Sequence, residues 1–134
     1  MRRFKQGAAL AVATVAALAG TLTTGSPALA ASSPISACGG GSYHVIDKHD
    51  LGKATVYLLY NGSTNCVVTW KDSPNSTHVW AGIWIYAGEE GLRQDGGKFS
   101  TYAGPVKGSA PGKCIRWGGT YGTTNYISPW EHCG

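Results

Sequence analysis

Two imidazoles and two carboxylates fall within seven residues in His44-x-x-Asp47-x-His49-Asp50. Histidine and aspartate are the side chains of zinc sites and of paired bases and orienters. The spacing argues against convergence here. Alternation along a short strand puts His44 and Ile46 on one face and Val45 on the other. The aspartates sit where that strand gives way to a polar connection, the usual place for turn-capping carboxylates. Lys48 offers a local charge partner. The segment is read as a solvated strand end, with no metal ligand and no catalytic residue assigned.

Other catalytic patterns are weaker still. Glu89-Glu90 and Asp95 offer the paired carboxylates of glycoside hydrolysis, yet they flank a turn, where acids are solvated. There is no G-x-S-x-G nucleophile elbow and no phosphate-binding glycine loop between a strand and a helix. Cys38, Cys66, Cys114 and Cys133 are all needed as disulfide partners, so no free thiol remains as a nucleophile. No enzyme activity and no cofactor are expected.

Chemistry of another kind lies in the strand around residues 78–86. Val79, Ala81, Ile83 and Ile85 share one face; Trp80, Gly82, Trp84 and Tyr86 share the other. The aliphatic face belongs to a core. Burial is the first reading for the aromatic face too, because a chain short of aliphatics needs its aromatics inside. The second reading is an exposed platform, with Gly82 as a shallow floor between Trp80 and Trp84. Flat aromatics of that sort stack on sugar rings and are enriched at interfaces.

The elements that position these residues come from a short exported domain. Arg2, Arg3 and Lys5 precede the uncharged run GAALAVATVAALAG at 7–20, and Pro27-Ala28-Leu29-Ala30 supplies the small residues of a cleavage site. This is the order of a secretory signal peptide, expected over 1–30 with cutting before Ala31. The run falls short of the roughly 20 apolar residues of a spanning helix, and no membrane span is expected in residues 31–134. Without the leader the chain holds eight Lys and Arg against seven Asp and Glu. That near-neutral balance gives no reason to expect nucleic acid as a partner.

Residues 31–134 read as a single domain. They contain only 17 Leu, Ile, Val and Phe, but five Trp and seven Tyr, and each aromatic buries about 150–250 Å². Short β-branched and aromatic runs alternate with glycine-rich breaks. Strands are expected at 43–46, 54–60, 66–70, 78–86, 92–94, 98–103, 114–117 and 123–127. Between them fall a polar connection at 47–52, turns at 61–65, 87–91 and 95–97, a Pro/Gly loop at 104–113 and a break at Gly118-Gly119. The expected fold is all-β: a small antiparallel sandwich or barrel of seven or eight strands, stapled by two disulfides. An even cysteine count in a small exported domain indicates such a framework. A meander of the first three strands puts Cys38 and Cys66 at one end of a sheet, which favours Cys38–Cys66 with Cys114–Cys133; the other two connectivities stay open.

Several phrases of the chain carry a resemblance. They are Cys38, Tyr43-His44-Val45-Ile46-Asp47, Thr55-Val56-Tyr57-Leu58-Leu59-Tyr60-Asn61 and Asn65-Cys66-Val67-Val68-Thr69. Later come Tyr102-Ala103-Gly104-Pro105-Val106, Cys114-Ile115-Arg116-Trp117-Gly118-Gly119 and Tyr126-Ile127-Ser128-Pro129-Trp130-Glu131-His132-Cys133-Gly134. The pattern resembles the spore-associated protein A family of filamentous sporulating bacteria. The resemblance implies a small secreted protein linked to aerial growth and the spore surface, and it brings no catalytic residue. The Trp-rich strand at 79–86 is where the chain departs most from that pattern.

Three functions follow as expectations. The first is a non-enzymatic protein of the spore or hyphal surface, partnered by surface polysaccharide or coat protein. The second is a carbohydrate- or cell-wall-binding module using Trp80, Trp84 and Tyr86. The third is a secreted protease inhibitor presenting the loop from Pro105 to Pro111.

Overall fold

A computed structural model describes residues 31–86 and 90–134 of the chain. The signal peptide expected over 1–30, and residues 87–89 of the turn expected over 87–91, lie outside them.

A single helical turn, α1 (Pro34–Ala37), opens the domain, with Pro34 in its first turn and Ser33 as N-cap. The Ser33 hydroxyl accepts from the Ser36 amide at 3.1 Å, and the Ser36 hydroxyl accepts from the Ser33 amide at 3.0 Å. Eight strands follow: β1 (His44–Asp50), β2 (Ala54–Tyr60), β3 (Asn65–Lys71), β4 (Val79–Tyr86), β5 (Glu90–Gly97), β6 (Tyr102–Gly108), β7 (Ile115–Tyr121) and β8 (Thr124–Ile127). They form two antiparallel sheets of four strands, ordered β1-β2-β3-β6 and β5-β4-β7-β8. The fold is the expected all-β sandwich, and the disulfides are Cys38–Cys66 and Cys114–Cys133.

The main core lies between the sheets. Val56, Leu58 and Val67 meet Val79, Ala81, Ile83, Ile115 and Trp117 there. The hydroxyl of Thr69 crosses the gap and donates to the Trp80 carbonyl at 2.8 Å. A second cluster covers the outer face of the first sheet. Cys38, Cys66, Leu59 and Val68 are fully buried in it, under Ala37, Tyr43 and Tyr57. Trp70 and Tyr102 stack in parallel on the same side, 4.8 Å apart. The first sheet therefore packs on both faces, which explains why β3 is buried along nearly all its length.

One buried cation has its hydrogen bonds to backbone carbonyls. Lys71 is 2% exposed. Its ammonium donates to the carbonyls of Asn75, Thr77 and Phe99 at 2.8, 2.6 and 2.5 Å. A buried charge needs such partners, and these three fix the β3–β4 and β5–β6 connections against each other.

The structure moves several expected boundaries. The polar connection at 47–52 is largely strand: β1 stays paired with β2 to Asp50↔Thr55. It is an edge strand exposed to water, so polar residues are allowed along it. Asp95-Gly96-Gly97 is not a turn but the end of β5, and β6 starts only at Tyr102 and crosses to the first sheet beside β3. The loop at 104–113 is strand as far as Gly108; Pro105, after a cis peptide bond, is tolerated because β6 is an edge. Gly118-Gly119 does not break β7. A Cβ on Gly119 would collide with the side chains of Thr69 and Val56 across the sandwich, so glycine stands where the facing sheet leaves no room for a side chain.

Candidate functional site

The strand β4 runs down the middle of the second sheet, between β5 and β7. Its register sorts the side chains. Val79, Ala81 and Ile83 point into the core and are fully buried. Trp80, Gly82, Trp84 and Tyr86 point the other way. Beside them lie Gly96, Gln94 and Leu92 on β5, and Thr120, Gly118 and Arg116 on β7. Among the described residues no second layer covers this face, so the first reading of Trp80, Trp84 and Tyr86 as buried is not met. Trp80 and Trp84 are half-buried by the sheet itself, and Tyr86 is 54% exposed. A central strand here does not need two covered faces, because Trp80 lies down on its own sheet.

Glycine makes that possible. The Trp80 indole lies across Gly82 and Gly96. A Cβ on Gly82 would collide with the far edge of the ring, and one on Gly96 would stand 2.8 Å from Trp80 Cδ1. Trp80 Nε1 donates to Gln94 Oε1 at 2.9 Å, which fixes the ring direction. Trp84 follows at a centroid distance of 6.0 Å, tilted by 58°. Beyond it Tyr86 meets Trp130 edge-on at 5.6 Å, and the Arg116 guanidinium sits 4.8 Å over the Trp130 ring. Exposed Leu92 and Ile127 flank the strip. The Arg116 Nε is buried with no hydrogen-bond partner among the described residues. The face offers ring surfaces, amide and guanidinium donors, and little charge: the groups that grip sugars by stacking and hydrogen bonding.

Trp130 and Arg116 are not among the residues singled out as candidates from the sequence. The C-terminal segment, linked through Cys114–Cys133, runs back along β7, where Ile115 and Glu131 exchange both backbone hydrogen bonds at 2.8 and 2.9 Å. The favoured disulfide pairing already placed Trp130 near Arg116, and that was the available signal.

The His/Asp cluster resolves differently. A bulge at Ile46 reverses the alternation of β1, so Val45 pairs with Leu59 and Asp47 pairs with Leu58. Asp47 and His49 thereby turn toward the second sheet, while His44 bonds only its own loop through the Ser42 carbonyl. His49 stacks on Tyr126 at 3.8 Å. Asp47 meets Glu131 and His132 from the C-terminal segment: His132 Nε2 lies 3.7 Å from Asp47 and 3.5 Å from Glu131. Ligand atoms of these three come within 4.8 Å of one another. Glu131 also accepts from Trp117 Nε1 at 2.7 Å, so the group sits where the C-terminal segment meets β1 at the open edge of the sandwich. The carboxylates raise the pKa of the Tyr126 phenol further, burial being the larger cause.

Among the described residues the remaining acids do not assemble a catalytic pair. Glu89 lies outside the described residues. Asp95 accepts from the Gly104 amide at 2.8 Å and joins the edges of the two sheets. The inhibitor loop also shrinks, since Pro105 to Gly108 belong to β6 and Val106 is buried.

Comparison with known proteins finds a match over most of the chain. It is 37% identical over 125 residues to Spore-associated protein A of Streptomyces coelicolor, covering 87% of this chain and 80% of that protein. No family model and no solved structure matches.

Proposed function

The chain belongs to the spore-associated protein A family, and from that premise we propose a non-enzymatic extracellular protein of the spore or hyphal surface. It holds surface polysaccharide through the outer face of its second sheet. The spore association is carried over from the relative. The observation that carries the binding role is the outward aromatic strip of Trp80, Trp84 and Tyr86, in which Trp80 lies on Gly82 and Gly96 and Trp130 extends the far end. Exposed aromatics are costly to leave in water, and a contiguous, pre-oriented set of them is the usual mark of a recognition surface. Trp80 is held by Gln94 and its glycine bed before any ligand arrives, so little ordering remains to be done on binding.

Sedimentation with insoluble chitin, peptidoglycan and glucans tests the reading. The wild-type protein is expected in the pellet with at least one polymer. The Trp80→Ala/Trp84→Ala double variant, with folding checked by circular dichroism, is expected to lose about tenfold or more in affinity, equivalent to about 1.4 kcal/mol. Absence of binding to every polymer, or binding unchanged in the variant, rules the strip out as a polysaccharide site.

A further inference from the structure

The two disulfides differ in what surrounds them. Cys38 and Cys66 are both fully buried with Leu59 and Val68, under Tyr43 and Tyr57. Cys133 is exposed and Cys114 half-buried. Cys133 also lines an open cleft with Ile46, Tyr60, Ser63, Pro111 and His132. An attacking thiolate must approach one sulfur directly, so access decides which bridge exchanges.

The C-terminal segment does not depend on its bridge. Ser128 donates its amide to the Trp117 carbonyl at 2.8 Å and accepts the Trp117 amide on its hydroxyl at 2.9 Å. Glu131 is held by the two backbone bonds to Ile115 and by the Trp117 indole. Opening Cys114–Cys133 therefore releases only His132, Cys133 and Gly134. The same operation at Cys38–Cys66 would open a packed cluster.

From this asymmetry we propose that Cys114–Cys133 is a thiol–disulfide exchange site through which the protein becomes covalently joined to an external thiol. The incoming thiolate attacks Cys133 Sγ and forms the new S–S bond. The Cys114–Cys133 bond breaks with its electron pair on Cys114, leaving a Cys114 thiolate and a mixed disulfide at Cys133. One disulfide replaces another, so the only co-reactant is the thiol and no oxidant is consumed.

The oxidised protein is incubated with reduced glutathione as a small-molecule probe, and in parallel with a folded protein bearing one surface cysteine. Both are quenched with iodoacetamide and peptide-mapped by mass spectrometry. The expected result is a mixed disulfide at Cys133 and alkylation at Cys114, forming about tenfold or more faster than any opening of Cys38–Cys66. Adducts in both arms identify a general exchange site, and adducts with glutathione alone limit it to small thiols; either supports the proposal. A Cys114→Ser/Cys133→Ser variant is expected to keep native near-ultraviolet circular dichroism and form no adduct. Equal opening of the two bridges, adducts only in denaturant, or loss of the native spectrum in the double variant overturns it.

Discussion

The indole of Trp80 lies flat over Gly82, two residues further along the same strand, in the space that a Cβ at Gly82 would occupy. Residues at this separation share one face of a strand, where side chains ordinarily stand up from the sheet. Here glycine removes the neighbour and the ring lies down. The aromatic face is consequently shallow, and its shape depends on two residues that contribute no atoms to it beyond backbone.

Replacing either glycine tests that dependence. In Gly82→Ala the added methyl collides with the far edge of the ring; in Gly96→Ala it meets Cδ1 at 2.8 Å. Trp80 has to rise off the sheet and lose its bond to Gln94. Overpacking of this kind costs about 1–3 kcal/mol. Each variant is expected to remain folded, with the Trp80 indole N–H resonance shifted and polysaccharide binding reduced as in Trp80→Ala. An unshifted indole resonance contradicts the arrangement.

Lys71→Met leaves three part-buried carbonyls, those of Asn75, Thr77 and Phe99, without their donor. The methionine fills most of the lysine stem but satisfies none of them. An unsatisfied buried polar group costs about 1–3 kcal/mol. The variant is expected to be destabilised by on the order of 3 kcal/mol and to melt more than about 10 °C lower. A melting curve within about 2 °C of wild type shows that water replaces the ammonium in the cage.

The sequence pattern was most legible where a strand shows one strong period. The aliphatic alternation of Val79, Ala81 and Ile83 gave both β4 and its core face, and the β2–β3 hairpin followed from its turn residues. The layout of the first three strands favoured the disulfide pairing that forms, with two others left open. It was illegible where glycine or polar residues serve a strand for tertiary reasons. Gly96 and Gly97 read as a turn because nothing local indicates an indole lying above Gly96. Gly118-Gly119 read as a break because the close approach of Thr69 and Val56 is made across the sandwich. The reversal of Asp47 by the bulge at Ile46, which brings it to Glu131 and His132 across the whole length of the domain, has no local signature at all.

Trp130 extends the aromatic strip past Tyr86 and carries the Arg116 guanidinium on its ring. Its contribution to the fold is modest, since a cation over a partly exposed ring is worth about 0.5–1 kcal/mol. Trp130→Ala is therefore expected to lower stability by about 1 kcal/mol and polysaccharide affinity by about threefold or more, equivalent to roughly 0.7 kcal/mol. Isothermal titration beside a thermal melt separates the two effects. Affinity unchanged at reduced stability confines the binding strip to β4.

The open edge of the sandwich supplies a pH-dependent signature. Tyr126 is half-buried between His49, stacked at 3.8 Å, and Trp117, edge-on at 5.3 Å. Burial, then the charges of Glu131 and Asp47, push its phenol pKa above the ordinary value of 10.0. The native state thus holds this proton more tightly than the unfolded chain does. By linkage, the associated stability is fully present below pH 10.0 and is lost as pH rises through the native pKa. Tyr121 moves the other way: hydrogen bonds from Thr77 and Asn75 stabilise its phenolate and lower its pKa. An ultraviolet difference titration of the folded protein is expected to show one tyrosine ionising early and one late. Tyr126→Phe should remove the late step and flatten the alkaline fall in stability, while Tyr121→Phe should remove the early one. If Tyr126→Phe leaves the late step in place, Tyr126 is not the phenol that burial and the charges of Glu131 and Asp47 hold protonated.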